Sequence, residues 1–293
     1  MVKSGRFPPT AVPAAFQLVR LGNTIVSFVG TIVGGVAARG AGVELPASLW
    51  IALVLAAFST AFVTAGGNVV NDILDRESDR INHPDRPLVT GAISPAAARW
   101  TAAALLVASV VVAIPVILGR PLVGVFLAAA LVALLSYEFR FKSAGFGGNL
   151  LVAFLTGLVF LYGGAAAGMP VAVLPFGFMA FFATLSREVI KDMEDLAGDV
   201  NRRTLPRTRG IGFASGVARG SVVTALALSA VPLFILLPLD SVAGIMYAAL
   251  VLSADALFVV SVLWLPARLH TEQTVSKGAM AVALLAFLAV AFR

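Results

Sequence analysis

Long runs without charge are the feature that most constrains how this chain can fold. One of them, "LPASLWIALVLAAFSTAFVTAGGNVV" at residues 45–70, exceeds the length of about 20 apolar residues that a membrane-spanning α-helix requires. Over the whole chain 59% of the residues are hydrophobic and 12% are charged, whereas apolar residues make up about half of an ordinary soluble domain. The sequence therefore predicts an all-α polytopic membrane protein embedded in a lipid bilayer.

Nine apolar spans follow one another, separated by connectors rich in Gly, Pro or charged residues. We expect a single transmembrane domain over residues 1–293, with two four-helix pseudo-repeats at 13–137 and 147–265 and a ninth helix at 276–292, arranged around a central cavity. The spans are predicted at residues 13–37, 47–70, 96–117, 121–137, 147–168, 171–190, 214–238, 241–265 and 276–292.

The basic residues favour one orientation of these spans. If the N-terminus is cytoplasmic, most of the 21 Lys and Arg residues fall on the cytoplasmic side, and Arg39, Arg120 and Arg293 fall on the other side. This distribution follows the positive-inside rule. We therefore expect a multi-pass protein of the cell membrane with a cytoplasmic N-terminus. The net charge of +6 is explained by this topology, and we expect no nucleic-acid partner.

The acidic residues are concentrated in two short segments, each at the cytoplasmic end of an even-numbered span. In both segments an acidic helix end is followed by a basic loop that contains proline, which indicates an internal repeat. Membrane proteins often place the working site at the interface between such repeats. The acids are Asp72, Asp75, Glu77, Asp79 and Asp85 in the first segment, and Glu188, Asp192, Glu194, Asp195 and Asp199 in the second.

The spacing of these acids predicts a metal and phosphate site. In a helix Asn71, Asp75 and Asp79 lie on one face, and Asp195 and Asp199 repeat the same four-residue step. Stacked carboxylates suit Mg²⁺, which binds through a few carboxylates and the phosphates of a substrate. Neighbouring Arg and Lys side chains suit the same anion. Acids, cations and an apolar cavity together predict a lipid-like diphosphate substrate, whose allylic cation needs a site without water.

Three motifs resemble the UbiA superfamily of intramembrane prenyltransferases. "NDILDRESD" at 71–79 resembles its Asn-Asp-x-x-Asp-x-x-x-Asp motif, and "DLAGD" at 195–199 resembles its second aspartate motif. "YEFRFK" at 137–142, followed by Gly-Asn at 148–149, resembles its segment between helices four and five, although Glu138 stands where Ser or Asn is frequent. The resemblance implies nine helices, a prenyl diphosphate substrate, and two Mg²⁺ ions that bridge the aspartate motifs.

The resemblance also implies roles for individual residues. Lys142, Arg86 and Lys191 would bind the diphosphate, and Tyr137 would contact the acceptor. Independently of the resemblance, Arg20 is a charge inside a predicted span, so we expect Arg20, with Asn23 one turn on, to contact an anionic acceptor or the diphosphate. An alternative for Arg20 is a structural ion pair with Asp255, because both lie inside predicted spans. The catalytic carboxylates would be Asp75, Asp79, Asp195 and Asp199, and the metal shell would consist of Asn71, Asp72, Asp75, Asp79, Asp192, Asp195 and Asp199.

The acceptor is indicated by two further segments. "RINHPDRPLVTGAIS" and "LVRLGNTIVSFVGTIVGG" resemble the archaeal ether-lipid branch of the superfamily. This resemblance implies transfer from geranylgeranyl diphosphate to geranylgeranylglyceryl phosphate. An aromatic acceptor such as 4-hydroxybenzoate, used in quinone biosynthesis, is the alternative. A function of another class, cation-coupled transport, fits less well, because transporter sites lie near the middle of the bilayer and these acids lie at its edge.

Overall fold

The computed structural model describes residues 13–39, 46–142, 144–197, 203–237 and 239–290, and within these ranges the chain is helical without strands. Eight of its helical segments are long and apolar enough to cross a membrane. They are α2 (Leu21–Arg39), α3 (Ala47–Leu74), α6 (Pro95–Gly119), α7 with a π-helical turn (Pro121–Phe141), α8 (Phe146–Ala166), α9 with a preceding 3-10 turn (Pro170–Glu194), α11 with α12 (Ile211–Ile235) and α13 (Val242–Leu263).

The all-α membrane fold is thus confirmed, whereas the count of nine spans stays a prediction. The ninth predicted span corresponds to α14 (Leu269–Ala289), which is as long as the others. Its first turns carry Glu272 and Lys277 and are therefore less apolar. Short helices fill the connectors: α1 (Ala14–Leu18), α4 (Arg76–Asn82), α5 (Pro87–Thr90) and α10 (Leu205–Arg209).

The first predicted span, residues 13–37, is not continuous. The chain breaks between α1 and α2 at Val19 and Arg20, and Arg20 has a φ of +49°, in the left-handed region. The amide of Asn68 on α3 donates to the Val19 carbonyl over 3.0 Å, and the Thr24 hydroxyl donates to the same carbonyl over 2.9 Å. These two side chains replace the helical partner that Val19 loses, so the break is satisfied internally.

Small residues set the distance between the central helices. A Cβ atom on Gly34 of α2 would lie 2.5 Å from the Phe160 carbonyl oxygen of α8, and one on Gly157 of α8 would lie 2.6 Å from the Gly177 carbonyl oxygen of α9. Only glycine permits such a close approach of two backbones. Close packing matters in a membrane because lipid is as apolar as the helix side chains, so burial of apolar surface alone does not hold the helices together. Helix α8 is thereby fixed between α2 and α9, while α3 packs against α2 and α6.

The connectors that carry the acidic motifs lie at the same end of the bundle. Successive spans alternate in direction, so the connectors after α3, α7 and α9 all emerge on one side. The break at residues 19–20 lies at that end too, because Arg20 contacts the last turn of α3. The fold therefore brings four separate stretches of sequence together at one end of the helices.

Candidate active site

Two arginines and two buried aspartates form the centre of the site. The Arg20 guanidinium donates to the carboxylate of Asp72 over 2.7 Å and to the side-chain carbonyl of Asn71 over 2.8 Å. Arg86 donates to the same Asp72 oxygen over 3.1 Å and to Asp79 over 2.5 Å. The two carboxylate side chains are only 3% and 6% exposed. Burial at this level requires paired charges, and the two guanidinium groups provide them.

A second set of contacts surrounds Asp75. The Lys142 ammonium lies 2.8 Å from the Asp75 carboxylate and 3.0 Å from that of Glu138. Glu138 also accepts a hydrogen bond from the Asn71 amide over 3.1 Å. Asn71 therefore joins the two sets, since its carbonyl oxygen accepts from Arg20 while its NH₂ group donates to Glu138.

The side chains of Asp75 and Asp79, which the four-residue step places on one face, have different partners. Helix α3 ends at Leu74 and α4 begins at Arg76, but the Asp75 amide donates to the Asn71 carbonyl and the Asp79 amide donates to the Asp75 carbonyl, so the four-residue step continues through the turn at Asp75. Asp79 pairs through Arg86 with Asp72, whereas Asp75 pairs with Lys142. Asp72, which the spacing places off the predicted face, is instead shared by two arginines at the centre of the site.

The residue that the sequence analysis missed is Glu138. It was treated as a departure from the family segment, yet its side chain is 3% exposed and it binds both Asn71 and Lys142. It lies in the π-helical turn Tyr137–Phe141 at the end of α7, a type of turn that is frequent at functional sites. An acid at the end of an apolar span requires a partner. The position of Glu138 at the end of such a span was therefore the sequence feature that could have indicated its place in the site.

Helix α8 links the second acidic motif to the site. The amide of Asn149, in the first turn of α8, donates to the Asp192 carboxylate over 2.8 Å. The preceding residue, Gly148, packs against the π-helical turn, because a Cβ atom there would lie 2.8 Å from the Phe141 carbonyl oxygen and 3.4 Å from the Tyr137 ring. A two-residue segment thus contacts the π-helical turn on one side and the second motif on the other.

The remaining predicted residues are less closely bound to this centre. Lys191 and Asp195 are exposed at the end of α9, and Asp199 lies outside the described residues. Asn23 is exposed on the first turn of α2. The alternative prediction of an ion pair between Arg20 and Asp255 is wrong. The Asp255 carboxylate accepts a hydrogen bond from the Ser229 hydroxyl, and Arg20 binds Asp72.

The donor set of this site fits Mg²⁺. Its ligating atoms are carboxylate and amide oxygens, which hard divalent cations prefer. Among the described residues no three acidic or histidine side chains converge on one point, and the two most buried carboxylates, Asp72 and Asp79, are held by arginines. The Asp75 side chain is more open, at 20% exposed, and Asp192 is half-buried. These two carboxylates are therefore more accessible than Asp72 and Asp79 to a metal that carries a diphosphate.

The fold and site define an intramembrane prenyltransferase. Residues 27–291 match the UbiA prenyltransferase family, and the chain belongs to that family. Its assignment as an enzyme that transfers a prenyl group is thereby confirmed, and the transporter alternative gains no support.

The chain is similar to several archaeal proteins named digeranylgeranylglyceryl phosphate synthase. The protein from Haloquadratum walsbyi is 37% identical over 284 residues, which cover 94% of this chain and 93% of the relative. The protein from Methanopyrus kandleri is 35% identical over 283 residues, which cover 94% of this chain and 98% of the relative.

Solved structures agree with this similarity. One, which concerns digeranylgeranylglyceryl phosphate synthase in membranes, is 30% identical with a TM-score of 0.77 and covers 95% of this chain and 98% of its own. Another, a UbiA homologue from Archaeoglobus fulgidus bound to GPP and Mg²⁺, is 19% identical with a TM-score of 0.65. It covers 94% of this chain and 99% of its own, and it supports the fold.

Proposed function

We propose that this enzyme transfers a geranylgeranyl group from geranylgeranyl diphosphate to geranylgeranylglyceryl phosphate, a step of archaeal ether-lipid synthesis. The names of relatives that are 35% and 37% identical over 94% of the chain support this acceptor. The observation that carries the proposal is the arrangement around Lys142, whose ammonium lies beside the accessible carboxylate of Asp75 and the buried carboxylate of Glu138.

Mg²⁺ would be held by Asp75 and Asp192, with Asp195 and Asp199 completing the set for a second ion. When bound, Mg²⁺ neutralises charge on the diphosphate and makes it a better leaving group. The Lys142 ammonium would stabilise the same developing charge, because a fixed cation in a water-poor site costs no reorganisation during the reaction. Arg86 and Lys191 would bind the outer diphosphate oxygens.

The bond changes follow from these positions. The allylic carbon–oxygen bond of the donor breaks, and its electron pair leaves with the diphosphate. The free hydroxyl oxygen of the acceptor bonds to the allylic carbon, and its proton passes to the departing diphosphate. The apolar helices around the site exclude water, which would otherwise capture the allylic cation.

We further propose that the N-terminus and this site face the cytoplasm. The connectors after α3, α7 and α9, together with the helix ends that flank them, carry most of the basic residues, as the positive-inside rule requires of the cytoplasmic side.

The test of this proposal is the replacement of Asp75 by asparagine in purified protein supplied with Mg²⁺, geranylgeranyl diphosphate and geranylgeranylglyceryl phosphate. We expect loss of the ether product by roughly a hundredfold or more, since removal of one group that acts on transition-state charge costs about 10²–10³ in rate. The control is Glu77→Gln, because Glu77 lies two residues away on the exposed face of α4 and pairs with Arg80. Equal rates for both variants would contradict the proposal.

A further inference from the structure

Two arginines meet at the end of the helix bundle that lies opposite the candidate active site. Arg39 is the last residue of α2, and Arg120 lies in the corner between α6 and α7. A Cβ atom on Gly168, which follows the end of α8, would lie 3.9 Å from a terminal nitrogen of Arg39 and 3.8 Å from the Nε atom of Arg120. Three connectors that are distant in the sequence therefore bring two guanidinium groups to one point.

The position of this pair runs against the distribution of charge in the chain. Most of the 21 Lys and Arg residues are predicted for the other end of the bundle, and Arg293 is the one further basic residue predicted for this end. Two like charges beside each other also repel. A pair of cations placed here despite both effects indicates an anionic partner.

The described part of the chain supplies no carboxylate to either arginine. The Nε atom of Arg39 donates to the Ala167 carbonyl oxygen over 3.0 Å, which is a contact with a neutral group at the end of α8. Among the described residues, the two terminal nitrogens of Arg39 and the whole side chain of Arg120 make no hydrogen bond or ion pair. A guanidinium group has five N–H donors, so most donors of the pair are available to a ligand.

The space between the two guanidinium groups is open. Gly168 is exposed, with a φ of +80°, and within the described ranges no other group beyond its chain neighbours comes within 4 Å of a Cβ atom on it. Arg39 and Arg120 are both half-buried, so each loses less side-chain freedom on binding than a fully exposed arginine would. The planar fork of arginine matches the oxygens of a phosphate group. One phosphate in this space can therefore contact both arginines.

The surroundings of the pair lie at the boundary between lipid and water. Leu118 and Leu122, two residues to either side of Arg120, are each more than half exposed, and so is Val171 in the connector after α8. Trp50, in the first turn of α3 at the same end, is also exposed, and tryptophan is enriched at membrane–water interfaces. A ligand here would have apolar side chains beside one part of it and two arginines beside the other, which is the chemistry of a phospholipid.

We propose that Arg39 and Arg120 bind the phosphate of an anionic membrane lipid in the leaflet opposite the candidate active site. The phosphate oxygens accept hydrogen bonds from the terminal nitrogens of Arg39 and from the guanidinium group of Arg120. The hydrocarbon chains of the lipid lie against the apolar side chains of the same corners. The lipid thereby joins the end of α2 to the corner between α6 and α7. The site does not depend on the proposed function, because it lies at the other end of the helices from Asp75 and Lys142.

The test replaces Arg120 by glutamine. The Arg120 side chain makes no hydrogen bond or ion pair in the described part of the chain, so Arg120→Gln should fold as the unsubstituted protein does. Purified, delipidated protein in detergent is titrated with phosphatidylglycerol, and the dissociation constant is obtained from the rise in Tm that the lipid causes. We expect Arg120→Gln to weaken binding about tenfold or more, because the loss of a hydrogen bond between charged groups corresponds to at least that factor. The matched control is Arg99→Gln, which removes an exposed arginine near the start of α6, at the other end of that helix.

Two parallel titrations of the unsubstituted protein identify the ligand. Phosphatidylcholine carries the same phosphate with a compensating cation, and inorganic phosphate carries no hydrocarbon chain. We expect phosphatidylglycerol to bind more tightly than either. Equal binding of inorganic phosphate would assign the pair to a soluble anion, and equal binding of phosphatidylcholine would show that the pair does not select an anionic lipid. Equal binding of phosphatidylglycerol by Arg120→Gln and Arg99→Gln would show that the pair does not bind this lipid. Each of these three results overturns the inference.

A second measurement locates the bound lipid and does not depend on the folding of a variant. The unsubstituted protein is irradiated with a phosphatidylglycerol analogue that carries a photoreactive group in its hydrocarbon chain, close to the glycerol. We expect the label on peptides that contain Leu122 or Val171, with protection by unlabelled phosphatidylglycerol. Labelling confined to peptides from the end of the bundle that carries Asp75 and Asp192 would contradict the assignment.

Discussion

Arg86 binds two buried carboxylates, and its replacement by alanine is expected to destabilise the protein measurably. Asp79 has Arg86 as its cationic partner in the described part of the chain, whereas Asp72 also binds Arg20. Arg86→Ala therefore leaves Asp79 buried without a compensating charge, while Asp72 keeps one. Most of the loss of stability should come from Asp79.

The magnitude follows from the burial of the three side chains. Arg86 is 23% exposed and the two aspartates are 3% and 6% exposed, so solvent screens the pairs little. Removal of one partner of a buried ion pair costs about 3–5 kcal/mol. Because Asp72 retains Arg20, we take the lower value, about 3 kcal/mol. For a chain of this size each kcal/mol lowers the Tm by about 2–4 °C, so the expected decrease is about 6–12 °C.

The assay is thermal unfolding of the purified protein in detergent, without Mg²⁺ and substrate. Arg80→Ala is the control, since Arg80 lies on the adjacent helix α4 and pairs with Glu77 while both side chains are more than half exposed. An exposed pair contributes little, so its loss should leave the Tm nearly unchanged. The double variant Arg86→Ala with Asp79→Asn should recover part of the lost stability, because it removes the unpaired charge.

Two results would refute this reasoning. If Arg86→Ala and Arg80→Ala unfold at the same temperature, Asp79 does not depend on Arg86. If Asp79→Asn lowers the stability of Arg86→Ala further, the loss does not arise from an unpaired carboxylate.

Two further predictions concern Glu138 and the orientation of the chain. Glu138→Gln is expected to lower kcat/KM for geranylgeranyl diphosphate about tenfold or more. The reason is that Glu138 accepts hydrogen bonds from Asn71 and Lys142, and hydrogen bonds to charged groups contribute about 1.5–3 kcal/mol. An unchanged kcat/KM would show that these contacts do not position the site. Since the chain has no cysteine, Ser78→Cys and Val171→Cys each introduce one thiol, at exposed positions on opposite ends of the bundle. In intact cells a membrane-impermeant thiol reagent should label only the cysteine at position 171, and labelling of position 78 alone would reverse the orientation.

The sequence was sufficient to predict the membrane fold, because that fold depends on local composition, whereas the assignment of the acids to a metal site stays a prediction. Apolar runs have to cross the bilayer as helices, since lipid offers the backbone no hydrogen-bond partners. Acids at the ends of two such helices likewise need partners that lipid does not offer, so they indicate a cation site. The structure accordingly brings Asn71, Asp72, Asp75 and Asp79 together with Lys142.

The pairing of individual side chains was not accessible from the sequence. The contact between Asn71 and Glu138 joins residues 67 positions apart, and that between Asn149 and Asp192 joins residues 43 positions apart. Such pairs depend on how the helices pack, which periodicity does not specify. The break at Arg20 depends likewise on the amide of Asn68 from another helix.

The most direct test of the account is a competition between the two acceptors in one reaction. Purified enzyme in lipid vesicles is supplied with Mg²⁺, geranylgeranyl diphosphate, and equal amounts of geranylgeranylglyceryl phosphate and 4-hydroxybenzoate, and the products are identified by mass. The account predicts the digeranylgeranyl ether of glyceryl phosphate as the dominant product, and no product when the metal is removed by a chelator. Prenylated 4-hydroxybenzoate as the dominant product, or full activity without Mg²⁺, would contradict it.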